Sequence, residues 1–257
     1  MDTRPIGFFD SGLGGASVLR SALRLLPTED YIYYGDNANA PYGDRKEAEI
    51  TDLTLTCTRK LQSANVKALV VACNTATATC IKTIRQELDV PVISVEPAIK
   101  PACAQPGNGK VLMMATLATT RLARYLALQS RMPDPSRVIN VPCPGLVDRI
   151  ETGVFSDDSF DDLLDGFLSP YWGAAIDGIV LGCTHYVFIK GAIARYANAH
   201  FTGPAKLYDG NDATIVQLGH VLEAEGLVNP AGTGQVRFFT SGDEAVYRPL
   251  FERLMAR

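Results

Sequence analysis

The chain lacks most features that would assign it a large charged or lipid partner. No extended basic stripe is present and the formal net charge is −4, so the electrostatic case for nucleic acid is missing. No apolar run is long enough to span a bilayer, so no membrane partner is expected. The opening Met1-Asp2-Thr3-Arg4-Pro5 carries neither an apolar segment nor a cleavage site, so the expected location is cytoplasmic. Cys57, Cys73, Cys80, Cys103, Cys143 and Cys183 form no C-x-x-C pair. His185, His200 and His220 add no zinc-like cluster, so no metal site is expected. In a reducing compartment the cysteines are expected to be free thiols, each by default a small buried hydrophobe. Low-complexity sequence is also absent.

What is present is an alternation of short apolar runs with helical patterns. At 257 residues, 47% hydrophobic and 20% charged, the chain can bury one large core or two modest ones. Strands are expected at Ile6–Phe9, Tyr31–Tyr34, Ala68–Ala72, Val92–Val95, Val111–Ala115, Val138–Val141 and Gly178–Leu181. They lack polar alternation and are separated mostly by helical patterns. That predicts α/β architecture with parallel sheets covered on both faces. Pro101–Lys110, rich in Pro, Gly and Asn, is a candidate connector between two units. Asp209–Asp212 is a second break. The segment beyond it holds a helix near 213–225, a strand Val236–Thr240 and a terminal helix. It is too small to stand alone, so a discontinuous first domain (1–97 plus 210–257) and a second domain (98–209) are expected.

A faint repeat supports two similar halves. Leu69–Thr75 can be laid on Ile179–His185 at an offset of 110 residues, and Ile6–Ser11 on Val111–Thr116 at 105. Ligands of parallel α/β sheets bind at the carboxyl ends of strands. Those ends carry Asp10 and Ser11; Asp36 and Asn37 followed by Pro41-Tyr42-Gly43; Cys73, Asn74 and Thr75; Thr116 and Thr119; and Cys183, Thr184 and His185. Small hydroxyl and amide groups of this kind suit a small polar ligand.

Each of the two matched cysteines is expected at a strand-to-helix junction, where free N–H groups and the helix dipole favour a thiolate or hold a carboxylate. Two such thiols suit inversion of a stereocentre. One removes a proton from one face of a carbanion and the other returns a proton to the opposite face. His185 beside Cys183, and Asp10 beside Cys73, are candidate proton partners. Taken singly, Asp10 reads as an Asx-turn or cap, His185 as a structural histidine, and Asn74 and Thr75 as caps.

The motifs in combination resemble the glutamate racemases of the aspartate/glutamate racemase family. The resemblance is carried by Phe9-Asp10-Ser11-Gly12-Leu13-Gly14-Gly15, Tyr34-Gly35-Asp36, Pro41-Tyr42-Gly43, Ala72-Cys73-Asn74-Thr75-Ala76, Cys143-Pro144-Gly145-Leu146-Val147 with Glu151, and Leu181-Gly182-Cys183-Thr184-His185-Tyr186. It implies two pseudo-symmetric parallel-sheet α/β domains with the active site between them. It also implies interconversion of L- and D-glutamate without pyridoxal phosphate or metal, supplying the D-isomer for peptidoglycan, in an enzyme that is often a homodimer. By motif, Cys73 and Cys183 are the proton donor/acceptors, with Asp10, His185 and Glu151 assisting. Asp10, Ser11, Tyr42, Gly43, Asn74, Thr75, Thr116, Thr119, Thr184 and His185 contact substrate.

Three other readings fit parts of the chain. A racemase for aspartate or another amino acid shares the two-thiol logic. A thiol hydrolase using Cys183 with His185 leaves Cys73 unexplained. A nucleotide-binding module would rest on Gly12-Leu13-Gly14-Gly15-Ala16-Ser17, which has Ser17 in the third glycine position and no following Gly-Lys-Ser/Thr.

Overall fold

The computed structural model describes residues 1–257, the side chain of Asp157 excepted. The chain divides into two compact units, Met1–Glu96 with Asn211–Arg257, and Pro97–Gly210.

In the first unit, β1 (Ile6–Asp10) leads through a glycine-rich turn into α1 (Ala16–Leu25), and β2 (Tyr31–Gly35) follows. Two 3-10 turns over Asn37–Asn39 and Tyr42–Asp44 precede α2 (Glu47–Ser63). Next come β3 (Ala68–Val71), α3 (Asn74–Glu87) and β4 (Val92–Ser94). The second unit holds α4 (Ile99–Cys103), β5 (Lys110–Ala115), α5 (Leu117–Arg121), α6 (Ala123–Gln129) and β6 (Val138–Pro142). It continues with α7 (Leu146–Glu151), α8 (Asp161–Leu168), β7 (Ile176–Leu181), α9 (Lys190–His200) and β8 (Lys206–Tyr208). The chain then returns to the first unit as α10 (Asn211–Ala224), β9 (Val236–Thr240) and α11 (Glu244–Met255).

Among the described residues the strands form two parallel sheets, ordered β4-β3-β1-β2-β9 and β6-β5-β7-β8. Successive residues of each strand point to opposite faces, and both faces are covered. In the first unit Phe9, Leu69 and Val71 pack under α2 and α3 with Ile50, Leu61 and Ile81. On the other face α1 packs against α10 and α11, burying Val18, Leu19 and Ala22. In the second unit Val111, Met113 and Val180 pack with Ile99, Tyr125, Val138 and Tyr208.

The repeat is also present in hydrogen-bond register. β1 pairs with β3 as Ile6↔Ala68, and β5 with β7 as Val111↔Gly178, offsets of 105 and 110 residues on the two strands. Beyond the strand ends, Ala72 N donates to Phe9 O at 2.8 Å and Gly182 N to Met114 O at 2.8 Å. The order β2-β1-β3-β4 is thus repeated as β6-β5-β7-β8, and β9 is added beside β2.

Two expectations are corrected, and one strand has no counterpart among those expected. The Pro101–Lys110 stretch is not the connector, because the units divide at Glu96/Pro97 and Pro101 lies in the first turn of α4. Proline is tolerated there because the first-turn N–H groups have no helical partner. The strand β8 was not foreseen. It is three residues long, with an exposed Lys206, and is defined mainly by pairing with β7. The residues after Cys183 form a 3-10 run, Thr184–Ile189, before α9 begins. Thr, His, Tyr, Val, Phe and Ile are all modest helix formers, and Thr184, His185, Tyr186, Phe188 and Ile189 are buried in this run.

Candidate active site

The candidate groups fall into two clusters, one in each unit. In the first, the glycine-rich turn after β1 folds back so that Gly12 N donates to Asp10 Oδ1 at 2.9 Å. This Asx-type bond fixes the Asp10 carboxylate over its own turn. Gly15 is required here for space. A Cβ at this position would lie 2.8 Å from Asp10 Cβ and 3.0 Å from Ala72 Cβ. Ser11 Oγ lies 3.3 Å from Cys73 Sγ.

Cys73 follows β3 and is itself the N-cap of α3, its sulfur accepting from Ala76 N at 3.4 Å. The thiol therefore meets a hydroxyl and a helix N-terminal amide, both able to stabilise negative charge on sulfur. Asn74 and Thr75 are the first residues of the helix. Asn74 Oδ1 is buried with no hydrogen-bond partner in the structure. A buried acceptor in that condition is suited to a donor brought by a ligand, such as an ammonium.

The segment after β2 completes this cluster. Tyr42 donates its hydroxyl to Asp36 Oδ2 at 2.6 Å, and Asn39 Nδ2 lies 3.0 and 3.2 Å from the two Asp36 oxygens. Burial first, and the Asp36 carboxylate second, push the Tyr42 phenol far above its usual range, so it stays a hydrogen-bond donor. Tyr42 is therefore engaged through its hydroxyl within the protein, and Gly43 follows it in the same 3-10 turn. Asp36 was noted at the strand end but not counted among the site residues. Its position directly after β2 was the signal.

In the second cluster Cys183 lies beyond β7, two residues past its last position. His185 Nδ1 is 3.7 Å from Cys183 Sγ, and His185 Nε2 is 2.8 Å from Glu151 Oε1. Glu151 is the last residue of α7, where the helix dipole is negative and a nearby cation is favoured. Burial disfavours the imidazolium, but hydrogen bonds to Cys183 and Glu151 outweigh it and hold His185 well above its ordinary value. Thiol, imidazole and carboxylate thus stand in series, an arrangement along which a proton can move.

Thr184 is buried beside this line. Thr116 and Thr119 leave the end of β5, the strand adjacent to β7. Thr116 caps α5 by accepting from Thr119 N at 3.2 Å, and its hydroxyl donates to Thr119 Oγ1 at 3.0 Å. Their hydroxyls thus have structural partners as well as a strand-end position.

Burial pushes Cys57 up to about 12, with the Asp36 carboxylate adding to it, and burial likewise raises Cys80, Cys103 and Cys143. All four remain thiols at neutral pH and serve as packing.

Comparison with known proteins matches residues 6–218 to the family described as Asp/Glu/Hydantoin racemase. A glutamate racemase of Clostridium botulinum is 40% identical over 245 residues, 95% of this chain and 94% of that protein. The crystal structure of glutamate racemase from Francisella tularensis in complex with D-glutamate aligns with a TM-score of 0.85 at 29% identity, covering 100% of this chain and 95% of that one. The Escherichia coli glutamate racemase, in complex with L-glutamate and the activator UDP-MurNAc-ala, aligns with a TM-score of 0.82 at 28% identity, covering 98% and 95%.

Proposed function

The chain belongs to the Asp/Glu/Hydantoin racemase family, and we propose that it interconverts L- and D-glutamate, with Cys73 and Cys183 as the two proton-transfer groups. The observation that carries this reading is the matched placement of the two thiols. Each stands beyond the end of an equivalent strand, β3 or β7, in the same register against β1 or β5. Glutamate as substrate is supported by the relatives, in Clostridium botulinum and in the two glutamate-bound structures.

In one direction the Cys73 thiolate takes the α-proton of one enantiomer, leaving a carbanion, and the Cys183 thiol gives its proton to the opposite face. In the reverse direction the roles exchange. A group already holding the abstracted proton on one face cannot readily deliver it to the other, so two are needed. His185, with Glu151 behind it, accepts and returns the Cys183 proton. Ser11 and the Ala76 amide stabilise the Cys73 thiolate, with Asp10 beside them as the proton partner or the ammonium contact. Tyr42-Gly43, Asn74-Thr75, Thr184 and the Thr116/Thr119 pair complete the substrate contacts.

The Cys183–His185–Glu151 line would also suit a thiol hydrolase. That reading gives the matched Cys73 cluster no role. The deciding experiment is α-proton exchange in deuterated water, with L- and D-glutamate offered separately to the parent, Cys73→Ser and Cys183→Ser. Racemisation should be lost in both variants. Parent-rate racemisation by either variant overturns the two-base reading, and a trapped acyl-enzyme on Cys183 would favour the hydrolase. The reading extends to a cytoplasmic homodimer that supplies D-glutamate for peptidoglycan. Light scattering of the purified protein tests the dimer, D-glutamate rescue of a depleted strain tests the supply role, and cell fractionation tests the location.

A further inference from the structure

We propose that Tyr33 is a positioning residue for the Cys73 half of the reaction, linking the C-terminal segment to the Asp10–Ser11–Gly12 turn. The inference rests on the racemase reading for its kinetic consequence, while the geometry stands independently of it.

The turn is tied on both sides of one residue. Gly12 N donates to Asp10 Oδ1 at 2.9 Å, and Gly12 O accepts from the Tyr33 hydroxyl at 2.9 Å. Ser11, held between these bonds, has its Oγ 3.3 Å from Cys73 Sγ. The fit is close. A Cβ at Gly15 would lie 3.1 Å from Tyr33 Oη and 2.8 Å from Asp10 Cβ, and one at Gly35 would lie 2.6 Å from Gly12 O. A shift of the Tyr33 hydroxyl is therefore passed to the peptide that sets both Asp10 and Ser11.

The Tyr33 ring is fully buried and is held from the C-terminal side. It stacks on Phe238 of β9 at 6.0 Å and 13°, and meets Phe251 of α11 at 4.8 Å. Those two rings contact each other at 4.5 Å. Tyr33 and Phe238 are also backbone partners between β2 and β9. Both phenylalanines lie beyond residues 6–218, the part of the chain that the family match covers. Phenylalanine at position 33 would supply all the ring packing. The hydroxyl is the atom that adds a connection to the turn, and a buried hydrogen bond to a turn carbonyl restricts where its neighbours can sit.

The test is Tyr33→Phe, which keeps the stacked rings, with Phe251→Leu as a second variant that keeps the hydroxyl and loosens its support. Three quantities are read: iodoacetamide alkylation rates of Cys73 and Cys183, mapped by peptide mass spectrometry without glutamate; kcat and KM for both enantiomers; and the thermal midpoint. In Tyr33→Phe, Cys73 alkylation should slow about threefold, because Ser11 no longer supports the thiolate, while that of Cys183 stays at the parent rate. The kcat should fall on the order of tenfold with KM nearly unchanged, as expected for misplacement of a reacting group. Phe251→Leu should shift Cys73 alkylation in the same direction. Parent-rate Cys73 alkylation in Tyr33→Phe overturns the proposal, as does an unchanged kcat, even if the thermal midpoint falls. If the parent protein does not racemise glutamate, the racemase reading fails, and the alkylation rates alone decide the role of Tyr33.

Discussion

The buried His185 pairs with the half-buried Glu151, with Nε2 2.8 Å from Oε1, and the other imidazole nitrogen is directed at Cys183. The carboxylate holds the ring's orientation and favours its protonated form. Glu151→Gln keeps the shape and removes the charge. It should lower kcat on the order of tenfold, with a smaller change in KM, because the imidazole becomes a weaker store for the Cys183 proton. Steady-state kinetics in both directions check this. A parent-like kcat would show that Glu151 has no part in the proton line.

The same pair makes stability depend on pH. His185 is held above its ordinary value when folded, so the native state binds the extra proton. This contribution is fully present below the unfolded imidazole value near ~6.5 and is lost as pH rises through the raised folded value. Between the two values stability should decline by up to about 1.4 kcal/mol per pH unit from this group. Urea midpoints from pH 6 to 9 should therefore fall more steeply for the parent than for His185→Gln. Parallel curves would contradict the assignment.

Gly182, just before Cys183, has no room for a side chain. A Cβ there would overlap Met113 Cε and lie 2.8 Å from Met113 Sδ and 2.9 Å from Met114 O. Gly182→Ala should cost about 1–3 kcal/mol through overpacking. Urea midpoints of the variant and the parent check this. An unchanged midpoint would show that Met113 and the Met114 carbonyl both yield to the added methyl.

Lys67 and Glu29 form an ion pair at 2.5 Å with both side chains buried. Lys67 Nζ also donates to Asp2 O, and Glu29 Oε1 accepts from Asn229 N, which ties the returning C-terminal segment to the N-terminal part of the same unit. Lys67→Met should destabilise by about 3–5 kcal/mol, because it leaves a buried carboxylate uncompensated. Adding Glu29→Gln should restore part of that stability. A purely additive double variant would mean the two groups do not interact.

Several features were legible in the sequence because they are local. The strands before Asp10, Cys73 and Cys183 are apolar runs with abrupt polar ends, and the two cysteine segments align at a constant offset. The 3-10 run after Cys183 was not legible. Apolar residues there resemble a helix face, and their local pattern does not separate a 3-10 run from an α-helix. The strand β8 was missed because three residues carry too little pattern to stand out without their partner β7.

The sequence by itself determined the strand-end inventory, the α/β class and the two cysteine-bearing segments, since each depends on residues adjacent along the chain. The tertiary structure decided which distant groups are brought toward each cysteine segment. Glu151 reaches His185 from α7, and Tyr33 reaches Gly12 from β2 with Phe238 and Phe251 behind it. A hydrogen-bond partner is set by which strands are neighbours and which helix covers them. Side chains distant in sequence become partners only when the folded backbone brings their polar atoms within about 3 Å of one another.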